Sequence, residues 1–278
     1  MIRSLIDRGA LFILNHSGGK DSQAMILKLA RLVPRRQLLV IHADLPGVDW
    51  EGLVDHIDAT AFGLPVLVAR ASRTFLEMVE RRGMFPSPSN RQCTSDLKRG
   101  PIAKVIRAHL KAHPEFGGVV VSCMGMRAEE SASRSRLPVL TANVRGSIAG
   151  REWWDWLPIH DWSEAQVFAA IEAAGQEPLW VYRAGMSRAS CRFCIMASDA
   201  DHRVAARIAP GPYRIMVETE RRLNFTLSMS RRPLTEITGS PRKTLPRSPS
   251  PRRAERRRER GRVLAAPSIR RKASGASP

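Results

Sequence analysis

The sequence predicts an α/β protein, a Rossmann-like parallel sheet with helices on both faces, followed by a basic tail with no fold of its own. Three observations carry this. Short apolar runs alternate with helix-period segments from Leu11 to about Val121, the pattern of strands buried between two helical layers. The first run ends in a glycine-containing loop, at the carboxyl edge where such sheets hold ligands. Finally, the composition changes at Ser240, beyond which lie 13 of the 45 Lys and Arg residues but only 2 of the 26 Asp and Glu.

Leu11 to Asn15 is a strand, and Ala24, Leu27, Ala30 and Arg31 continue it as a helix after the loop. Leu38 to Ile41 is a second strand ending at His42-Ala43-Asp44, with a helix expected from Trp50 to Phe62. Pro65 to Val68 gives a third. Helices are expected over Thr74 to Arg82 and Leu97 to Lys111, and Gly118 to Ser122 is β-branched and apolar, a fourth strand leading into Gly125-Met126-Arg127. Residues 134 to 160 are expected to be loop despite Trp153, Trp154 and Trp156. Ser163 caps a helix reaching Ala174, and a last amphipathic helix covers Pro212 to Leu223.

This divides the 278 residues into a nucleotide-binding domain over 1–230, including the Cys-x-x-Cys region, and a tail over 231–278 rich in Arg, Ser and Pro. The tail has too few apolar residues to offset the entropy of ordering it, so disorder is expected. Runs such as Arg256-Arg257-Arg258 suit phosphate neutralisation, which makes nucleic acid a candidate partner of the tail. The formal charge of +19 suits polyanions generally. No apolar stretch reaches the roughly 18 residues of a membrane span, and Met1 to Arg8 lacks a signal-peptide pattern, so no membrane partner and a cytoplasmic location are expected.

Ser17-Gly18-Gly19-Lys20-Asp21-Ser22 lies between a strand and a helix, where each residue type serves phosphate binding. The glycines allow positive φ and close approach, and the helix start offers free N–H groups and a favourable dipole. Lys20 adds a compact charge; Ser17 and Ser22 add hydroxyl donors. The spacing is not that of a Walker loop, which disfavours a generic kinase or ATPase.

On these residues the sequence resembles the PP-loop ATP pyrophosphatases, of the adenine nucleotide alpha-hydrolase-like fold, and within them the phosphoadenosine phosphosulfate reductase family, over roughly residues 10 to 197. His42-Ala43-Asp44-Leu45-Pro46 is similar to the family's Asp-Thr-Gly segment, with Asp44 the matching acid and Leu45-Pro46 a departure. Gly125-Met126-Arg127, with Arg134 following Ser131, is similar to the family's Gly-x-Arg-x-x-x-Ser-x-x-Arg stretch, which implies that Gly125, Arg127 and Arg134 contact the nucleotide. Trp156 to Ser163 resembles the Pro-x-x-Asp-Trp-Thr signature.

The chain has four cysteines. In a reducing compartment Cys191-x-x-Cys194 reads as a metal or redox site rather than a disulfide. The resemblance adds Cys93, in a segment where cluster-bearing members carry paired cysteines and this chain has Gln92 at the other position. Three thiolates could hold a 4Fe-4S cluster with one iron open, or Zn²⁺ with an added ligand. Cys123 reads as a core residue, with a fourth ligand as the alternative.

The resemblance implies ATP or a related adenine nucleotide as ligand, with Mg²⁺ on its phosphates, Lys20 and Asp21 in catalytic roles, and a sulfur donor protein as candidate partner. Sulfonucleotide reductases use a Glu-Cys-Gly cysteine near the C-terminus, and no cysteine follows Cys194 in this sequence. The expectation is therefore adenylation of a substrate with pyrophosphate release, coupled to sulfur transfer. Reduction of an adenylyl sulfate and non-catalytic nucleotide or nucleic-acid binding are the alternatives.

Overall fold

A computed structural model describes residues 1–239. The expectations about the tail from Ser240 onward lie outside the described residues.

The strands are β1 (Leu11–Asn15), β2 (Leu38–Asp44), β3 (Val66–Arg70), β4 (Val119–Met124), β5 (Leu140–Ala142) and β6 (Glu152–Trp156), in sheet order β3-β2-β1-β4-β6-β5. All neighbours are parallel except β5 against β6, which is antiparallel. The helices are α1 (Ile2–Asp7), α2 (Lys20–Leu32), α3 (Leu53–Thr60), α4 (Phe75–Arg82), the turn α5 (Gln92–Thr94), α6 (Gly100–Ala112), the turn α7 (Ala132–Ser135), α8 (Glu164–Ala173), α9 (Asp199–Ile208), α10 (Pro210–Leu223) and α11 (Leu234–Ile237).

Strand residues alternate between two apolar layers, as the period of two requires. Phe12, Leu14, Val40, Val121 and Cys123 face α2 and α8 through Met25, Leu29, Val167 and Ile171. Leu11, Ile13, Leu39, Ile41 and Val120 face Ile106 and Leu110 of α6. Both faces are therefore covered, the expected arrangement. A third cluster gathers beyond the carboxyl edge and joins Leu45, Trp50, Leu53, Phe75, Leu179 and Phe193 to Met216 and Leu234.

The structure corrects several expectations. Residues 134–160 are not all loop: β6 pairs with β4 in parallel and β5 closes the edge. Aromatics are strand formers when they can pack. Trp153 and Trp156 are buried, and the Trp156 ring meets Phe12 edge-on at 6.0 Å. The helical run expected from Leu97 starts earlier, at Gln92: the turn α5, a π-turn over Ser95–Arg99 and α6 follow one another without a break. Cys123 lies in the core with its thiol on Val121 O, which removes it as a ligand candidate. The folded residues also run past the expected boundary at 230, because α11 buries Leu234, Thr235 and Ile237. Among the described residues no helix is long and apolar enough to cross a membrane.

Truncating Trp156 to Ala should cost about 3–5 kcal/mol, the range for buried aromatics. Urea unfolding of the variant against the parent measures it.

Candidate functional site

The loop between β1 and α2 is shaped by a histidine that the sequence did not advertise. His16 is buried, its Nε2 2.9 Å from Thr60 Oγ1 and its Nδ1 3.3 Å from the Gly18 amide. Thr60 Oγ1 already donates to His56 O at 2.6 Å, so His16 donates through Nε2 and accepts at Nδ1. Burial lowers the His16 pKa to about 3 and keeps the ring neutral, as that role needs. Gly18 takes φ +76°, and a Cβ there would lie 2.1 Å from Leu53 Cδ1.

Across the loop, the end of β4 approaches so closely that a Cβ on Gly125 would lie 2.7 Å from the backbone of Asp21. The Tyr182 hydroxyl accepts from the amides of Lys20 and Ala189, both at 3.1 Å. The first turn of α2 still leaves the amides of Asp21 and Ser22 without intrahelical acceptors, as any helix start does.

Two buried cations meet here. Lys20 Nζ is 3.0 Å from Glu164 and 3.5 Å from Asp21, and lies over the Tyr182 ring at 5.3 Å. Arg127 donates through Nε to Asp21 at 2.6 Å and through Nη1 to Glu129 at 2.5 Å. Burial opposes both charges, yet Tyr182, Asp21 and Glu164 hold the Lys20 pKa raised, and Asp21 and Glu129 do the same for Arg127. Arg134 pairs with Glu130. A cavity of about 460 Å³ is lined by Ser17, Gly19, Lys20, Asp21, Ser22, Gly125, Arg127 and Arg134, together with Tyr182 and Arg188.

Beside it a cavity of about 260 Å³ contains Cys191, Lys98, His42, Asp49 and Trp50. The two share Asn15, Ser17, Arg188 and Ala189 as walls. The cysteine segment is tied down by the Arg192 amide on Val48 O at 2.8 Å and by Trp50 Nε1 on Ser190 O at 2.7 Å. Lys98 Nζ lies 3.9 Å from Cys191 Sγ. Burial pushes the Cys191 thiol up to about 11 against the pull of Lys98, while Cys194 and Cys93 raise it further. Burial and Cys194 likewise raise Cys93. The three thiols are thus electrostatic neighbours, although among the described residues their sulfurs do not form a set lying wholly within 4.8 Å of one another.

Of the sequence candidates, Asp44 stands apart: it accepts from Arg70 Nε at 2.7 Å and lines a third cavity of about 120 Å³. Gly18 packs behind the loop against Leu53 rather than lining it. Sequence reasoning missed His16, Lys98, Tyr182 and Glu164; the partners of the last three lie far along the chain, and His16 joins the adjacent Gly18 to the distant Thr60. The one local signal was Glu164 in the first turn of a capped helix, where its carboxylate reaches the cavity.

The phosphoadenosine phosphosulfate reductase domain model matches residues 12–197, which hold both cavities' lining residues. The chain belongs to this family, among the PP-loop ATP pyrophosphatases. A protein of Escherichia phage 186, an uncharacterized 37.8 kDa protein in the gpa 5′ region, is 30% identical over 188 residues, covering 66% of this chain and 51% of its own length. The chain thus spans about half of that relative. Among solved structures, Candida glabrata FMN adenylyltransferase with FAD and pyrophosphate is 14% identical, covering 66% of this chain and 55% of its own at a TM-score of 0.43. Candida auris phosphoadenylyl-sulfate reductase is 16% identical, covering 65% and 80% at 0.43. The Methanococcus maripaludis U34-tRNA thiolase NcsA, with its four-iron four-sulfur cluster, is 14% identical, covering 80% of each chain at 0.39.

Two outcomes test this geometry. Gly125→Ala should displace the start of α2 and cost about 1–3 kcal/mol, the usual range for overpacking, as read by urea unfolding. The unfolded chain takes up a proton at His16 below about pH 6.5 that the folded chain refuses until about pH 3, so this group's contribution falls as pH drops through that window. The stability difference between His16→Gln and the parent should therefore narrow between about pH 7 and pH 4.

Proposed function

We propose that this protein uses ATP to adenylate an oxygen-bearing substrate and then exchanges the adenylated oxygen for sulfur. The carrying observation is the common wall of Asn15, Ser17, Arg188 and Ala189, which sets the phosphate-loop cavity beside the one containing Cys191. A nucleotide bound on the loop would thus lie beside the cysteine cavity.

In the first step a substrate oxygen attacks the α-phosphorus, the bond to the bridging oxygen breaks, and pyrophosphate leaves. Lys20 and the free amides of the α2 start stabilise the charge that develops on it. Arg127 keeps Asp21 in place through the 2.6 Å bond, and Tyr182 holds the loop against the cysteine segment. In the second step sulfide bonds through sulfur to the activated carbon and AMP departs with the oxygen; a persulfide of a donor protein would instead give a mixed disulfide, which a second thiol reduces to free the product.

Two inorganic groups fit this reading. Mg²⁺ prefers oxygen ligands and phosphates, and Asp21 with Ser22 supplies oxygens at the loop. A tetrahedral zinc with bonds of about 2.3 Å draws sulfurs to within about 4 Å of one another. Cys93, Cys191 and Cys194 would offer thiolates either to zinc with an added ligand or to an iron–sulfur centre, and Lys98 would offset the negative charge of the latter. Such a centre supplies an open iron for sulfur. Its binding would release the protons that burial keeps on Cys93 and Cys191, so it would strengthen as pH rises.

Anaerobically purified protein should catalyse ATP–pyrophosphate exchange in the presence of its acceptor, and Lys20→Ala should lower the rate by about 10²-fold or more, the scale for losing one transition-state charge partner. Cys191→Ser should keep the exchange and lose sulfur incorporation together with iron and acid-labile sulfide. Sulfite release from an adenylyl sulfate, or exchange that persists in Lys20→Ala, would replace this reading.

A further inference from the structure

A second inorganic centre can be argued from the carboxyl end of β2, apart from the thiols. His42 and Asp44 are two residues apart and so share a strand face. The chain then turns back within five residues: the Asp49 amide donates to Leu45 O at 3.1 Å, and the Leu45 amide donates to Asp49 Oδ2 at 2.7 Å. This return carries the Asp49 carboxylate to the other two. One ligand atom from each of His42, Asp44 and Asp49 falls within 4.8 Å of the others.

The state of His42 makes this more than a cluster of acids. Its side chain is 3% exposed, and Nδ1 lies 3.0 Å from His16 O, a carbonyl that can only accept, so Nδ1 carries a proton. In the neutral ring Nε2 is then the free nitrogen. Nε2 is buried with no hydrogen-bond partner and faces Asp49 Oδ2 at 3.9 Å. A neutral imidazole lone pair facing a carboxylate oxygen is an unfavourable contact unless a positive charge lies between them. Two bonds of about 2.1 Å span about 4.2 Å, so a single ion can bridge this gap.

The surroundings are also those of a metal site. Each ligand has an outer partner that orients it: His16 O for His42, the Leu45 amide for Asp49, and Arg70 Nε at 2.7 Å for Asp44. His42 and Asp49 line the cavity that holds Cys191, which leaves room for exchangeable ligands on that side. Two cations adjoin the cluster: Arg70, paired with Asp44 from outside, and Lys98, which acts on Asp49 but lies against Cys191 Sγ at 3.9 Å. We infer that His42, Asp44 and Asp49 bind one divalent first-row transition-metal ion, separate from the three thiols. Imidazole with two carboxylates suits Mn²⁺, Fe²⁺ or Zn²⁺, whereas Mg²⁺ and Ca²⁺ favour all-oxygen sets.

Mn²⁺ is the probe, because thiols compete for it weakly. Full-length protein stripped with chelator is titrated with Mn²⁺, and free ion is followed by electron paramagnetic resonance. The same titration is run on a Cys93→Ser/Cys191→Ser/Cys194→Ser variant, on Asp49→Asn and on His42→Gln, each checked for folding by circular dichroism. One Mn²⁺ per chain is expected in the parent and the thiol-free variant. Affinity should fall at least 10-fold in Asp49→Asn and His42→Gln, since losing even an outer-shell partner costs about 10–100-fold. Spin-echo modulation from an imidazole nitrogen should appear in the parent and vanish in His42→Gln. If Asp49→Asn does not fold, Asp44→Asn at the strand end decides instead, with the same loss expected. Binding lost in the thiol-free variant, binding unchanged in the carboxylate variants, or no binding by the folded parent would overturn the inference. The last result would mean that a proton bridges His42 and Asp49. None of these outcomes depends on the adenylation chemistry.

Discussion

The site is held together by one hydroxyl. Tyr182 accepts hydrogen bonds from the amide that begins α2 and from the amide of Ala189, two residues before Cys191. Without that shared acceptor a direct tie between the phosphate loop and the cysteine segment is lost, and two part-buried N–H groups lose their partner. An unsatisfied buried donor costs about 1–3 kcal/mol, so the clamp also stabilises the fold. The segment from Leu179 to Phe193 packs into the third apolar cluster, which anchors the tyrosine from behind. The adjacency of the two cavities is therefore a consequence of packing beyond the sheet edge, not of the sheet alone.

Charge is balanced inside this frame before any ligand arrives. Lys20 and Arg127 are nearly inaccessible, and each is met by a carboxylate that is itself about half exposed: Glu164 for Lys20 and Glu129 for Arg127. Glu164 faces water on its other side, Glu129 is further held by the Glu164 amide at 2.8 Å, and Asp21 is shared between the two cations. An incoming phosphate would thus exchange one anion for another. The cations would not need to move, and the reorganisation on binding would fall on two exposed side chains.

How much of this was legible in the sequence follows from the range of each interaction. The first strand and its loop could be read because their determinants are local: β-period apolar residues, two glycines and a helix start. The capped helix after Ser163 was legible for the same reason, and its capping box with Gln166 is present. Strand β6 was not, because Trp153 and Trp156 are strand residues only by virtue of what they pack against, Phe12 among them. Tyr182 and Lys98 escaped for a stronger reason. Their partners are 162 and 93 residues away, and no spacing rule links them. Asp44 shows the converse: a local match to a family segment placed it at a strand end, while its pairing with Arg70 and its cavity depend on β3 beside it.

The carboxyl edge also separates its ligand atoms by type. Oxygens and one imidazole collect at the end of β2, while Cys191 and Cys194 lie on the segment that packs over it and Cys93 on α5, with Lys98 Nζ 3.9 Å from Cys191 Sγ. Lys98 is held raised chiefly by Cys191, with Cys194, Asp49 and Cys93 adding to it. A buried cation in that position favours thiolate over thiol without making the thiols acidic, since burial still pushes Cys191 up to about 11. Thiols in that state are poor free nucleophiles at neutral pH, because it is the thiolate that attacks. They are nevertheless competent ligands, because a bound metal supplies the missing driving force for proton loss. The raised Cys191 thiol thus supports the holding role proposed above over a nucleophilic one.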